Sequence, residues 1–176
     1  MSCFSYTPKM FEATNQKVDD AMLFDAIVVR NYDMLKYLLE HGANPTSDVV
    51  GYAIEYDECE AVNILLKHGA DPNGSYEHAN LLEYAVISNS YGSMYRLIEH
   101  GADINAFPVI EDTFSENDDF SFVEHLINSG AKVPDEEFWI KFIDRLSPKN
   151  IRFLRDNGLK SCEKLIEAMC ERLRSL

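Results

Sequence analysis

The sequence predicts an all-α solenoid: a stack of about five helix–turn–helix repeats, each too small to bury its own apolar face, closed by helical end caps. Three observations predict it. Five segments align on Gly42, Gly69, Gly101, Gly130 and Gly158, which are 27, 32, 29 and 28 residues apart. Sixteen residues before each glycine stands Ala26, Ala53, Ala85, Phe114 or Phe142. Seven before it stands Leu35, Val62, Met94, Val123 or Ile151. Constant spacing within repeats and variable spacing between them mean fixed helices joined by connections of different length.

The elements follow in order. Residues 1–19 form an N-terminal cap. The repeats cover about 20–46, 47–73, 74–105, 106–134 and 135–160, and a closing helix covers 161–176, all within one domain. The first helix of a repeat, as at 48–56 or 80–88, opens on Asp20, Asp48 or Asn80, whose side-chain oxygens suit free backbone N–H groups. Asn31, Asp57 and Asn89 tolerate the turn that follows. The second helix carries an apolar stripe, such as Leu35, Leu38 and Leu39, or Val62, Leu65 and Leu66. The glycine then supplies a left-handed exit. Pro45-Thr46-Ser47 leaves almost no connection between the first two repeats, whereas residues 72–79 leave a long one. In the fourth repeat Phe114 replaces alanine among Glu111, Asp112, Glu116, Asp118 and Asp119, which predicts a short or irregular first helix. The last stretch sets Cys162, Leu165, Ile166 and Met169 against Glu163, Lys164, Glu167 and Arg172, one apolar stripe on a helix.

Composition narrows the function. The 176 residues carry a formal charge of −14. Residues 1–131 hold six Lys/Arg against 22 Asp/Glu, while residues 132–176 hold ten against eight. A field of that sign repels phosphate, which disfavours nucleic acid and anionic membrane as partners and favours a basic protein. No apolar run approaches the ~20 residues of a membrane span. The first ten residues lack a basic-then-apolar leader, which predicts a cytoplasmic chain. Cys3, Cys59, Cys162 and Cys170 are scattered without a C-x-x-C pair, as in a reducing compartment.

Leu97-Ile98-Glu99-His100-Gly101-Ala102-Asp103-Ile104-Asn105 recurs nearly intact at Leu38–Thr46 and Leu65–Asn73. These segments resemble ankyrin repeats, whose pattern ends V-x-x-L-L-x-x-G-A-D-x-N. Asn80-Leu81-Leu82-Glu83-Tyr84-Ala85 occupies the place of that family's T-P-L-H-x-A, which no repeat here keeps. The repeats are shorter than the ~33 residues of the family, and the shortfall lies in the fingers that join them. The resemblance implies a non-enzymatic binding module that docks another protein on the concave face of finger tips and first helices. It implies outward positions two and three residues after the alanine: Val28 and Val29, Glu55 and Tyr56, Ile87 and Ser88. An apolar patch rimmed by acids results. Tyr52 and Tyr84, one before the alanine, are placed to stack with each other or with a partner, and Tyr76, Glu77 and Phe107 lie in the longer connections.

Residues 138–151, Phe138-Trp139-Ile140-Lys141-Phe142-Ile143-Asp144-Arg145-Leu146-Ser147-Pro148-Lys149-Asn150-Ile151, are also similar to the core of an F-box. That resemblance implies, as an alternative, a ubiquitin-ligase substrate adaptor, since ankyrin proteins ending in an F-box-like segment are known among poxviruses and intracellular parasites. The ankyrin binding module itself is expected to be a pathogen or viral effector or inhibitor directed at a host. The acidic field offers a further reading, a nucleic-acid mimic that inhibits a basic enzyme. The chain is expected to be a monomer, with self-association as the alternative.

No catalytic, cofactor or metal site is predicted. His41, His68 and His100 precede equivalent glycines, but stacked helices lie ~8–10 Å apart, too far for one zinc with ligands at ~2.0–2.1 Å. At helix C-termini they complement the backbone dipole instead. His78 and His125 have no ligand-spaced neighbour. Asp57, Glu58 and Glu60 cluster at a turn and a helix start, where acids are favoured without chemistry. The run from Glu111 to Asp119 lacks the order of a calcium loop. No nucleophile elbow, phosphate loop or H-E-x-x-H occurs.

Overall fold

The computed structural model describes residues 7–13, 17–116 and 119–175. Cys3, residues 1–6 and 14–16 of the expected N-terminal cap, and Asp118 lie outside them. The chain forms two compact units, Met1–Asp103 and Ile104–Leu176.

The N-terminal unit contains α1 (Pro8–Ala13), α2 (Ala21–Val28), α3 (Tyr32–Glu40), α4 (Ser47–Glu55), α5 (Cys59–Lys67), β1 (Ser75–Tyr76), β2 (Ala79–Asn80), α6 (Leu81–Ile87) and α7 (Tyr91–Glu99). Helices pair as α2–α3, α4–α5 and α6–α7. The first helices then pack in the row α2–α4–α6, the second in the row α3–α5–α7. The core lies between the rows. Ala26, Ala53 and Ala85 are fully buried there, as are Leu35, Leu38, Leu65, Met94 and Leu97. Each of the larger side chains contributes about 1.5–3 kcal/mol by leaving water.

Both rows end their helices in one way. The N–H groups of Asn31, Glu58 and Ser90 donate to the carbonyls of Ala26, Ala53 and Ala85 at 2.8–2.9 Å. Those of Ala43, Ala70 and Ala102 donate to Leu38, Leu65 and Leu97 at 3.0–3.1 Å. Each bond reaches five residues back around a residue of positive φ, the Schellman geometry. In the second row that residue is a glycine, with φ +99° at Gly42 and +91° at Gly101. In the first row it is Arg30, Asp57 or Asn89, with φ of 53–55°. The first turn therefore bends at Arg30 and not at the expected Asn31, whose side chain instead caps α3 by accepting the Met34 N–H at 3.1 Å.

The expected caps of the first helices divide similarly. Asn80 caps α6, accepting the Glu83 N–H at 2.8 Å. Asp20 directs its carboxylate to the Asn44 N–H at 2.7 Å, tying one repeat to its own exit. Thr46 is the N-cap of α4, and Asp48 lies inside its first turn. The long connection forms a hairpin with Ser75 opposite Asn80 and Tyr76 opposite Ala79.

In the C-terminal unit are α8 (Val109–Glu116), α9 (Phe120–Asn128), α10 (Glu136–Ile140), a 3₁₀ turn (Ile143–Arg145), α11 (Pro148–Asp156) and α12 (Glu163–Ser175). The expected irregularity is displaced by one repeat: α8 is a regular eight-residue helix, and α10 stops after five residues. Bulk explains the change. Phe114 and Phe142 stand where alanines let helices approach, and their rings meet at 5.4 Å between centroids. Trp139, fully buried, packs on Phe114 at 5.3 Å and donates its Nε1–H to the Pro134 carbonyl. The Arg145 guanidinium lies over both phenylalanine rings, at 4.6 and 4.8 Å, and bonds the Phe114 carbonyl at 2.8 Å. The 3₁₀ turn carries that arginine into the ring cluster. Ser147 and Asn150 then cap α11 reciprocally, with Pro148 in its first turn; proline there gives up an N–H that has no helical partner.

Candidate protein-docking face

Val28, Tyr56 and Ile87 are 42%, 48% and 66% exposed. Among the described residues they are three of the four exposed large hydrophobics; the fourth, Ile166, belongs to the C-terminal unit. Val28 and Ile87 are the last residues of α2 and α6, and Tyr56 directly follows α4. Val28 and Ile87 lie two residues after their buried alanines and Tyr56 three after its own, so an apolar side chain is exposed at the same end of three adjacent first helices. At ~8–10 Å between neighbouring helices, the row spans roughly 20 Å. Exposed Glu55 and Asp57 flank Tyr56.

An aromatic layer supports this row. Tyr52 is half-buried, meeting Phe24 edge-on at 5.0 Å and Tyr56 at 4.6 Å. Tyr84 is half-buried and meets Tyr76 at 4.9 Å. Tyr52 and Tyr84 therefore do not stack on each other, because the hairpin brings Tyr76 to Tyr84 and lays it on α4. Gly51 makes that approach possible: a Cβ there would sit 2.1 Å from Tyr76 Cγ. The Tyr76 hydroxyl reaches Glu55 Oε2 at 3.2 Å. Its pKa is pushed up to about 12, first by burial and then by that carboxylate. Tyr52 is held at about 12 too, first by its hydrogen bond with Tyr56 and then by burial. Both hydroxyls keep their protons at neutral pH.

The remaining expected residues are distributed unevenly. Glu77 and Ser88 are exposed, Glu77 in the hairpin turn with φ +48°. Val29 is half-buried at the C-cap of α2, where the turn folds it back, so it does not point out as Val28 does. Phe107 is half-buried in the C-terminal unit and lines a 340 Å³ cavity with Glu111 and Lys132. The histidines of the second row serve the backbone: His41 and His68 place Nδ1 2.8 Å from the Tyr37 and Ile64 carbonyl oxygens. His100 Nε2 lies 3.3 Å from Asn63 Oδ1.

One cluster escaped the sequence reading. Glu58 is only 6% exposed, and its carboxylate accepts from Arg30 Nε at 2.5 Å and from the Tyr32 hydroxyl at 2.6 Å. Burial, then this bond, pushes Tyr32 up to about 12. Glu58 also holds the Arg30 guanidinium above its ordinary value. The available signal was spacing: the partners stand 28 and 26 residues apart, close to the 27-residue interval between the first two repeats. Ser90 likewise bonds Asp57 at 2.6 Å across 33 residues. These ties fix the turns on which the exposed row stands.

Apolar area, protonated hydroxyls and flanking carboxylates make a surface suited to docking. A family model described as ankyrin repeats, in three copies, matches residues 23–107. Comparison of the sequence with curated proteins finds no match. Among solved structures, the crystal structure of the ankyrin repeat domain of Bcl-3, described as a unique member of the IkappaB protein family, is similar in fold. It matches with a TM-score of 0.62 at 20% identity, over 88% of this chain and 80% of that one. Ankyrin stacks are a protein-interaction scaffold, and no helix among the described residues is long and apolar enough to cross a membrane.

Proposed function

From the premise that residues 23–107 belong to the ankyrin-repeat family, we propose that this chain is a non-enzymatic binding module, docking a protein through the concave side of its first helices. Val28, Tyr56 and Ile87 are the anchors. Their shared exposure at the ends of three adjacent first helices, two residues after the buried alanine for Val28 and Ile87 and three for Tyr56, is the observation that carries the reading. Isolated exposed side chains are ordinary, while three neighbouring apolar ones are not. Tyrosine suits the centre of such a face, being enriched among residues whose loss costs most binding energy. Tyr52, Tyr76 and Tyr84 hold the row rigid, which lowers the ordering cost of binding. Glu55, Glu77 and Ser88 supply a polar rim that selects a basic partner, met in the cytoplasm.

The test is quantitative affinity capture from the cells that make the protein, with wild type and Tyr56→Ala/Ile87→Asp compared after circular dichroism shows both folded. The partner is expected to be lost from the double variant and retained by Ile166→Asp. Equal capture by wild type and the double variant overturns the assignment.

A further inference from the structure

We propose that the groove between α11 and α12 docks a short acidic amphipathic segment of a partner protein, apolar side chains inward and carboxylates on Arg152 and Arg155. The groove lies wholly within the C-terminal unit and does not depend on the face of α2, α4 and α6. One wall is Ile151, Arg152 and Arg155 of α11, and the other is Ile166, Met169 and Cys170 of α12. Residues three to four apart share a helix face, so each wall is a single stripe. α12 packs on α10 and the 3₁₀ turn through fully buried Leu165. Its Leu165 N–H donates to Glu136 at 3.1 Å, and Arg172 bonds the Ile143 carbonyl at 2.8 Å. With that side committed, Ile166 remains 48% exposed over the groove.

Size and charge choose the occupant. The volume is 270 Å³, below the ~300–1,000 Å³ of sites that engulf whole small molecules. It therefore suits a few inserted side chains. Arg152 and Arg155 are exposed at its edge, and the latter's ion pair is with the adjacent, equally solvated Asp156. The groove thus belongs to the cation-rich tail, residues 132–176, of a chain whose net charge is −14. Guanidinium groups recognise carboxylates by paired, charge-assisted hydrogen bonds, and they repel a basic segment. Two stripes facing across a trough match the way an amphipathic helix is read by its apolar anchors.

The probe is a library of random short peptides displayed on phage, panned on the full-length chain. The enriched peptide is then titrated by fluorescence anisotropy against wild type, Arg152→Glu/Arg155→Glu, Ile166→Asp and Tyr56→Ala/Ile87→Asp. The expected consensus is apolar residues flanked by Asp or Glu. Its affinity should fall about tenfold or more with either groove variant and stay unchanged with Tyr56→Ala/Ile87→Asp. Bound peptide should also slow alkylation of Cys170 while leaving Cys59 unaffected. All substituted groove residues are exposed, and the double arginine reversal decides the matter should Ile166→Asp lower the fold. A basic consensus, no consensus, affinity indifferent to the arginine reversal, or sedimentation showing the groove filled by a second copy each overturns the proposal.

Discussion

A methyl group on Gly51 would lie 2.1 Å from Tyr76 Cγ and 2.5 Å from both neighbouring ring carbons. Those atoms are close to the root of the side chain, so the ring cannot swing aside cheaply. Gly51→Ala gains roughly 0.5–1 kcal/mol of helix propensity but incurs about 1–3 kcal/mol of overpacking. The expected outcome is a lower unfolding temperature, with Tyr76 released from α4. Released, its hydroxyl loses burial and Glu55 together, so its ionisation moves down from about 12 toward the ordinary tyrosine range near 10. Absorbance titration of wild type, Gly51→Ala and Tyr76→Phe measures this.

Among elements, the ties between consecutive repeats decide whether neighbouring helix pairs cohere. Glu58 opens α5 while its partners Arg30 and Tyr32 belong to the turn before α3 and to its first residue. Glu58→Ala strands the half-buried Tyr32 hydroxyl, and about 1–3 kcal/mol is expected to go with it. The Arg30 pair adds little, because that guanidinium is 70% exposed and water screens it. Urea unfolding of Glu58→Ala, Tyr32→Phe and the double variant tests this: the double variant should lose less than the sum. Helix positions were legible from the glycines and alanines, since backbone geometry and close packing leave few residue choices there. So was the exposure of Val28, Tyr56 and Ile87, two or three residues past the alanines, though not the half-burial of Val29 beside Val28. The Glu58 cluster was not, because an acid at a turn looks solvated until the preceding repeat brings Arg30 and Tyr32 to it. The displaced irregularity at α10 was also hidden, because Arg145 enters the ring cluster through contacts with Phe114, 31 residues earlier.

At the scale of the whole molecule, alkaline pH should be the weak flank. Tyr32, Tyr52 and Tyr76 ionise at about 12 in the folded chain against about 10 unfolded. A group whose pKa folding raises contributes stability that is complete below 10 and is lost as pH climbs through 12. Each new phenolate also adds to a net charge already at −14. Denaturant midpoints should hold from neutral pH to about 9 and then decline; an unchanged midpoint at pH 11 contradicts the assignment. The alanine-to-phenylalanine change has a consequence for engineering. Helix pairs centred on Ala26, Ala53 and Ala85 offer one another interchangeable seats, so duplicating residues 47–73 should lengthen the array. The pairs centred on Phe114 and Phe142 are keyed to a single mate by rings and a guanidinium, so a copied one would arrive with no lock to fit.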